Sequence, residues 1–489
     1  MRIKVDRDSK IALYIQIKNQ IRDKIYSKVF PQNYILPSER ELSDMIKVNR
    51  STIIKAYQEL KSEGLIASEV GKGTYVVYTD EIENNEKLHN FINRFYWDEI
   101  YSESSKQNYG DSISKIMKTD HGQRIISLSG GIPCPDSFPE EELKKIHMNL
   151  VENDMEKVFL HSPVDGYMPL KNEISNLLLN RGIKASPKEI MISSGSQQGL
   201  DLIVRTFINS GDVVLVEEPT FFAALQLFKT IGAKVIGVPI DNDGMRTDIL
   251  KYLIDKHNPK CIYTIPTFQN PTGITMSMER RHELLNISSK YNVPIIEDDP
   301  YGELRYEGED FPTLKALDRN NQVLYLSTFS KVIALGLRVG WIVAPEKVIN
   351  KLSSLKQITD LHVNTLSQHT MYEFLKDGYY EKHVKRVKKE YLFKRNLMAM
   401  ELQMDSLKEC SFELPKGGYY IWYKVSNKLN SNSLIRRSVE NGVNYMPGQL
   451  FYNKLGENNN YIRLNFTYPR REEIVERIKR LKDSIRQVR

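Results

Sequence analysis

Apolar residues recur at helical spacing from the start of the chain. Tyr14, Ile17, Ile21 and Ile25 lie three and four apart, which predicts one face of an amphipathic helix. Pro37 breaks that run. Ser38-Glu39-Arg40-Glu41 then has the form of a capping box, with Ser38 taking a first-turn amide and Glu41 reaching back to the Ser38 amide. Leu42, Met45 and Ile46 are expected on the buried side of this second helix. A polar turn, Lys47-Val48-Asn49, leads into a third helix with Ile53, Ala56, Tyr57 and Leu60 inward, and Gly64 stands where a helix-ending glycine is expected. Two β-rich runs, Leu65–Val70 and Thr74–Val77, are joined by Gly71-Lys72-Gly73. The pattern is a helix, a helix-turn-helix and a two-stranded wing. The third helix would expose Arg50, Ser51, Thr52 and Lys55 at its N-terminal end, the part of a recognition helix that meets base edges. Lys72 at the wing tip could reach phosphate or minor groove. A protein-interaction module with a basic, solvated face is the alternative for the same pattern.

From Ile125 the pattern changes. Ile190–Ile192, Val213–Val216, Cys261–Ile265, Pro294–Ile296 and Val323–Leu326 are continuous apolar runs separated by helical stretches. Strands of a parallel sheet covered on both faces read this way, which predicts an α/β domain. Each run ends in a polar or glycine-rich cluster, where an open α/β sheet binds its ligands. Gly195-Ser196-Gln197 opens a helix after a strand, offering amides and a hydroxyl to a phosphate. Ser330 and Arg338 add a hydroxyl and a fixed cation for the same anion. Lys331, at the end of a buried run, should have a lowered pKa and act as a Schiff-base nucleophile. Asp298 ends another run, where a carboxylate can keep a pyridine nitrogen protonated. A lysine and an aspartate so paired are what pyridoxal phosphate chemistry requires.

Composition sharpens this picture. The chain has 489 residues, 40% hydrophobic and 27% charged, long enough for two to four domains. No 18 apolar residues run together, and no apolar segment follows the charged N-terminus, so neither a membrane span nor a signal peptide is expected. Cys134, Cys261 and Cys410 stand alone, which excludes a disulfide framework and a CxxC metal site and fits a reducing cytoplasm. Residues 1–79 carry fourteen Lys and Arg against nine Asp and Glu; the other 410 carry 55 against 53. A basic small module ahead of a near-neutral body points to a polyanion partner. Between them, residues 80–124 read as a semi-ordered linker. It is polar but interleaved with Phe91, Phe95, Tyr96, Trp97 and Tyr101, and Phe91, Ile92 and Phe95 suggest a short docking helix.

The stretch LPSERELSDMIKVNRSTIIKAYQELKSEGLIASEVGKGTYVV resembles the winged helix-turn-helix of GntR-type bacterial regulators. The resemblance implies that Arg40, Arg50 and Lys72 contact double-stranded operator DNA. It departs at Lys28 and Pro31-Gln32, where a Gly-x-x-x-Pro-Gly turn is usual. The runs SLSGGIPCPDSFP, SSGSQQGLDL, EEPTFF, PTFQNPTG, IIEDDPYGELRY, STFSKVIALGLRVGW, PKGGYYIWYKV and YIRLNF resemble the fold type I aminotransferases over about 365 residues, from Ile125 to the end. That implies a mixed, mostly parallel sheet and a smaller C-terminal α+β subdomain from about residue 385. The whole chain is similar to the MocR/GabR class of pyridoxal-phosphate-dependent transcriptional regulators.

Position by position, the resemblance makes Lys331 the lysine that carries the cofactor and Asp298 the partner of its ring nitrogen. Phe221 stacks on the ring where the family usually has tyrosine. Asn270 and Tyr301 bond the phenolic oxygen. Ser196, Gln197, Thr328, Ser330 and Arg338 cradle the phosphate, Arg463 receives a substrate carboxylate, and Gly131 lines the substrate side. His161 stands where the family has a tyrosine from the neighbouring subunit, which implies a homodimer and a phosphate contact sensitive to pH near neutrality. The implied function is a regulator that senses a small amino compound, or the cofactor itself, by Schiff-base exchange at Lys331. The alternative is a working aminotransferase carrying an accessory DNA-binding module.

Overall fold

The computed structural model describes residues 3–7, 11–69, 71–77, 100–102, 105, 126–404, 407, 409–426, 429, 431–454 and 460–488. The chain divides into two compact units, residues 1–106 and 107–489. Of the linker aromatics, Phe91, Phe95, Tyr96 and Trp97 lie outside the described residues, as does Ile92; Tyr101 is exposed.

The first unit contains α1 (Leu13–Tyr26), β1 (Ile35–Leu36), α2 (Glu39–Ile46), α3 (Arg50–Ser62), β2 (Ile66–Glu69) and β3 (Gly73–Val76). The capping box is present: Glu41 N donates to Ser38 Oγ at 3.2 Å and Ser38 N donates to Glu41 Oε2 at 2.9 Å. Asn49 caps α3 through the Ser51 amide at 3.1 Å, and Gly64 ends it with φ 70°. Ile17, Ile21 and Ile25 pack with Leu42, Ile53, Ala56, Tyr57 and Leu60 in one core. Lys18 on α1 pairs with Glu59 and Glu63 on α3 at 2.9 and 3.1 Å.

Two expectations need correcting here. Met45 is exposed; Leu42 and Ser43 are buried and Ile46 partly so. The helix stops at once in a left-handed Lys47, so no further turn covers Met45. The wing is three-stranded, in the order β1-β3-β2 and antiparallel throughout. β1 has only two residues, too few for an alternation to show in the sequence. Lys28, standing where the GntR pattern has glycine, adopts φ 61°, so the turn keeps a glycine-like backbone without the glycine.

The second unit has β4 (Ile126–Ser127), β5 (Ile190–Ser193), β6 (Val213–Glu218), β7 (Lys234–Asp241), β8 (Gly244–Met245) and β9 (Cys261–Thr264). It continues with β10 (Ile295–Asp298), β11 (Val323–Thr328), β12 (Gly340–Val343), β13 (Tyr420–Lys424), β14 (Val443–Asn444), β15 (Met446–Pro447) and β16 (Tyr461–Asn465). Its main sheet runs β5-β12-β11-β10-β9-β6-β7-β8. The contacts from β7 through β6, β9 and β10 to β11 are parallel; β12 is antiparallel to both neighbours, and β8 to β7. Each expected run is a strand. Val214, Val216, Tyr263 and Ile296 enter one core while Leu215, Ile262 and Ile295 enter another, so both faces are covered and alternation is absent.

Smaller sheets, β13-β16-β15 and β14-β4, complete the unit, with the helices Tyr379–Gln403 and Arg471–Val488 packed together beside them. Because β4 pairs with β14, the first strand of the unit joins elements of its far end. That pairing brings residues 128–132 to the ends of the main-sheet strands.

Candidate functional site

The carboxyl ends of β5, β10 and β11 open onto a cavity of about 370 Å³. Lys331 follows β11 in a short 3-10 turn. Its Nζ donates to Gly131 O at 2.7 Å. Burial lowers the Lys331 pKa; Tyr420 opposes that shift and Arg463 and Arg338 reinforce it. Gly131 suits its place: a Cβ there would lie 2.4 Å from the Tyr420 hydroxyl and 3.0 Å from Lys331 Nζ.

Asp298 ends β10, buried. Tyr263 donates its hydroxyl to Oδ2 at 2.8 Å, and Oδ1 has no partner among the described residues. Burial, with Asp299, pushes the carboxyl up to about 6 against the Tyr263 bond and Lys331. The Tyr301 hydroxyl donates to that of Tyr420 at 3.3 Å. Burial raises Tyr301. Burial also raises Tyr420, but Arg463, Lys331 and the Tyr301 bond outweigh it and hold Tyr420 below the usual tyrosine range.

Arg463, on β16, is buried. Nη1 donates to Asn270 Oδ1 at 2.9 Å and Nη2 to Ser129 O at 2.6 Å; its guanidinium lies 3.9 Å from the Tyr420 ring centroid, and the buried Nε has no partner among the described residues. At the opposite wall, the helix Gly195–Phe207 presents its first turn, with Ser196 and Gln197. Arg338 donates to Ser330 Oγ at 3.3 Å and to Ser194 O at 3.1 Å. The Thr328 hydroxyl donates to that of Ser330 at 3.0 Å and accepts from the Ser330 amide at 3.1 Å. Gly195 has φ 77°, and a Cβ there would lie 2.4 Å from Arg338 Nη2. Helix amides, two hydroxyls and a guanidinium on one wall suit a dianion. Phe221 offers a ring at the cavity edge.

The structure thus brings twelve of the thirteen candidate residues of this unit into one cavity. His161 is not among its lining residues; it is exposed and meets His362 edge-on at 4.9 Å between centroids. The sequence reasoning assigned no role to Tyr420, Phe222, Ile132, Leu335 or Met446, which also line the cavity, or to Tyr263 behind Asp298. Tyr420 sits in the PKGGYYIWYKV run, where nothing in the local pattern sets it apart from the buried Ile421 and Tyr423. Among the described residues no acidic, histidine or cysteine group could hold a metal, and no helix is long and apolar enough to cross a membrane.

In the first unit Arg40 and Arg50 are exposed, with guanidinium groups unpaired among the described residues. Ser51 is exposed and donates its hydroxyl to Asn49 at 3.0 Å, and Thr52 is half-buried. Lys55 lies 3.9 Å from the Tyr14 ring centroid, and Lys72 is exposed and pairs with Glu69 at 3.0 Å.

Residues 123–481 match the family model for aminotransferase class I and II, and residues 13–76 match that for bacterial regulatory proteins of the gntR family. The chain is 33% identical over 465 residues to the uncharacterized HTH-type transcriptional regulator YdfD of Bacillus subtilis (strain 168), covering 95% of this chain and 94% of the relative. It is 37% identical over 397 residues to aromatic-amino-acid aminotransferase 1 of Thermococcus litoralis, covering 80% and 95%. The crystal structure of Pyrococcus horikoshii kynurenine aminotransferase in complex with PMP matches with a TM-score of 0.76 at 38% identity, covering 80% of this chain and 98% of that one. The chain belongs to the aminotransferase class I and II family through its second unit and, over nearly its whole length, to the MocR/GabR-type regulators in which a gntR-family winged helix-turn-helix precedes that domain.

Proposed function

We propose that this protein is a pyridoxal-phosphate-dependent transcriptional regulator whose second unit senses a small amino compound. In this reading residues 1–79 bind operator DNA, residues 80–124 link, and residues 125–489 form the sensor, with a small subdomain from about 385. One observation carries it. A lysine amine, a carboxylate oxygen and a guanidinium Nε, the last two buried and without a partner among the described residues, belong to side chains that line one cavity, on a chain that also carries a helix, Arg50–Ser62, with an exposed N-terminal end.

The residues present fit the cofactor. Asp298 Oδ1 is a buried acceptor in need of a donor, which a protonated ring nitrogen supplies. Ser196, Gln197, Thr328, Ser330 and Arg338 would hold the phosphate, Phe221 would face the ring, and Asn270 and Tyr301 would hold its phenolic oxygen. When bound, pyridoxal phosphate supplies an aldehyde that condenses with amines and a ring that draws electrons from the attached carbon. Burial keeps a larger share of Lys331 Nζ neutral, the form that attacks an aldehyde. Asp298 holds a proton at the ring nitrogen, and Arg463 binds and orients a ligand carboxylate. His161 is the candidate contribution from a second copy in a homodimer, and the cytoplasm is the proposed compartment.

The same cavity favours a second reading, an aminotransferase, because Lys331, Asp298 and Arg463 are all in place. The deciding experiment measures binding of the full chain to DNA upstream of its own gene, with and without pyridoxal phosphate and amino acids. Ordinary turnover of amino-acid and keto-acid pairs, of order 1–10³ per second, with no DNA binding would overturn the regulator reading.

A further inference from the structure

A second cavity, of about 260 Å³, lies in the second unit apart from the one at Lys331. It is enclosed by residues of three loops, 272–275, 305–311 and 413–416, with Asn242 from the turn between β7 and β8. The first loop follows Asn270 and the last precedes Tyr420, yet no residue lines both cavities.

Arg305 gives this cavity its chemistry. The residue is 9% exposed, and its guanidinium lies 4.8 Å from the Phe268 ring centroid and 5.9 Å from that of Phe311. Nε donates to Asp310 Oδ1 at 3.1 Å, but the Asp310 side chain is 74% exposed, so that pair is weak. Nη2 is buried and has no partner among the described residues. A buried guanidinium nitrogen with nothing to donate to is costly, and an arriving acceptor offsets the cost. A carboxylate is the acceptor whose geometry suits a guanidinium.

The rest of the wall bears on what that carboxylate carries. Ile274, Phe311, Leu414 and Pro415 are apolar, so a small apolar body attached to the anion would be covered. Lys416 adds a second cation, and Glu309 and Glu413 add two carboxylates, all three exposed. Two carboxylates on the wall weigh against a second negative charge on the ligand.

We infer that this cavity is a second ligand site, which takes a small organic monocarboxylate with an apolar body, its carboxylate on Arg305. The inference is independent of the cofactor reading, because none of the residues lining this cavity is assigned to pyridoxal phosphate.

The test uses the full chain with pyridoxal phosphate bound and carrying Arg463→Ala, which removes the carboxylate anchor of the cavity at Lys331. p-Fluorobenzoate, p-fluorobenzamide and p-fluorophenyl phosphate are titrated separately, and binding is followed by fluorine NMR. At about pH 8 the phosphate ester is a dianion. p-Fluorobenzoate should bind saturably, the neutral amide should half-saturate at a concentration at least about tenfold higher, and the dianion should bind more weakly than the carboxylate. Adding Arg305→Gln should raise the half-saturating concentration of p-fluorobenzoate at least about tenfold, the loss of one charge-assisted bond. Should that variant fail to fold, Leu414→Glu serves instead. Leu414 is 46% exposed, and a third carboxylate on the wall should weaken p-fluorobenzoate binding while leaving that of the amide unchanged. The inference is overturned by an absence of saturable p-fluorobenzoate binding, by amide or phosphate ester binding as tightly, or by binding that the variant tested does not weaken. The carboxylate and amide titrations decide the site in the same way if the chain takes up no pyridoxal phosphate, so the two readings fail separately.

Discussion

Replacing Asp298 by asparagine should stabilise the cofactor-free protein while weakening its hold on the cofactor. The carboxyl is 5% exposed, accepts one hydrogen bond from Tyr263, and has an oxygen with no partner. Burial, then Asp299, raises its pKa from 3.8 to about 6 despite Tyr263 and Lys331. A rise of roughly two units corresponds to about 3 kcal/mol between the protonation states. Since the folded value is the higher one, this group's stability is fully present below about pH 3.8 and is lost as pH rises through about 6. Asparagine keeps an oxygen for Tyr263 and does not ionise. Its amide brings a donor without a partner, a pH-independent cost of about 1–3 kcal/mol, so the change of the difference with pH is the clean quantity. Between pH 5 and pH 8 the variant should gain roughly a further 1 kcal/mol over the parent. Glu297, raised by burial to about 7, titrates in the same window in both proteins and cancels. Urea unfolding of both cofactor-free proteins at the two pH values measures this. A variant that gains nothing, or loses stability relative to the parent, between pH 5 and 8 would refute a buried, ionised Asp298.

Other changes separate the remaining roles. Lys331→Ala should abolish the visible band of lysine-bound cofactor and its fixation by borohydride; a borohydride-stable adduct surviving in that variant would remove Lys331 from its assignment. Arg50→Ala should cost about 1–3 kcal/mol in binding to the operator and relax sequence preference, measured by competition between specific and random DNA. Equal loss on both DNAs would count against Arg50 as a base reader. Lys72→Ala should weaken all DNA binding and reduce the salt slope by about one, once the exposed pair with Glu69 is discounted. Arg463→Ala should retain DNA binding but lose the response to amino acids, read as an operator affinity that no longer changes on their addition.

The parts of the fold legible in the sequence were those where local chemistry and burial agree. Ser38 and Glu41 mark a helix start through two amides a few residues away, and the structure has both bonds. The parallel strands were legible because both faces are covered, so every residue of β9 and β10 is apolar or lies at the cavity end. β7 escaped because it carries Gly237 and Pro239 and is only partly buried, with Val235 in one core and Val238 in the other. β12 escaped because four residues, Gly340–Val343, carry too little pattern to mark an antiparallel strand within a parallel sheet. At the site, the residues that would touch the cofactor sit in glycine- and proline-marked clusters at strand ends, and those clusters show in the chain. Tyr420, Met446, Leu335 and Ile132 do not, because an apolar side chain facing a cavity has the same local pattern as one facing a core.

The bonds that Lys331 and Arg463 make without a ligand bear on how a sensor of this kind signals. Lys331 Nζ donates to Gly131 O and Arg463 Nη2 to Ser129 O, so both groups grip one short segment. That segment is tied to the small sheets through Leu128, which donates to Asn444 O at 3.0 Å and accepts from Asn465 N at 2.8 Å. In sequence it directly follows the residues that join the two units. With the cofactor carried on Lys331, Nζ would no longer hold Gly131, so a ligand acts on this segment through Arg463, where its carboxylate competes for the guanidinium that holds Ser129. That bond is charge-assisted and worth about 1.5–3 kcal/mol. Moving a two-state equilibrium from one per cent to ninety-nine takes about 5.5 kcal/mol of differential affinity. The Arg463 bond is a substantial share of that, and an amine without a carboxylate leaves it in place. On the regulator reading, a simple amine should therefore occupy the cavity without switching the protein, and a carboxylate beside the amine is what turns occupancy into a signal.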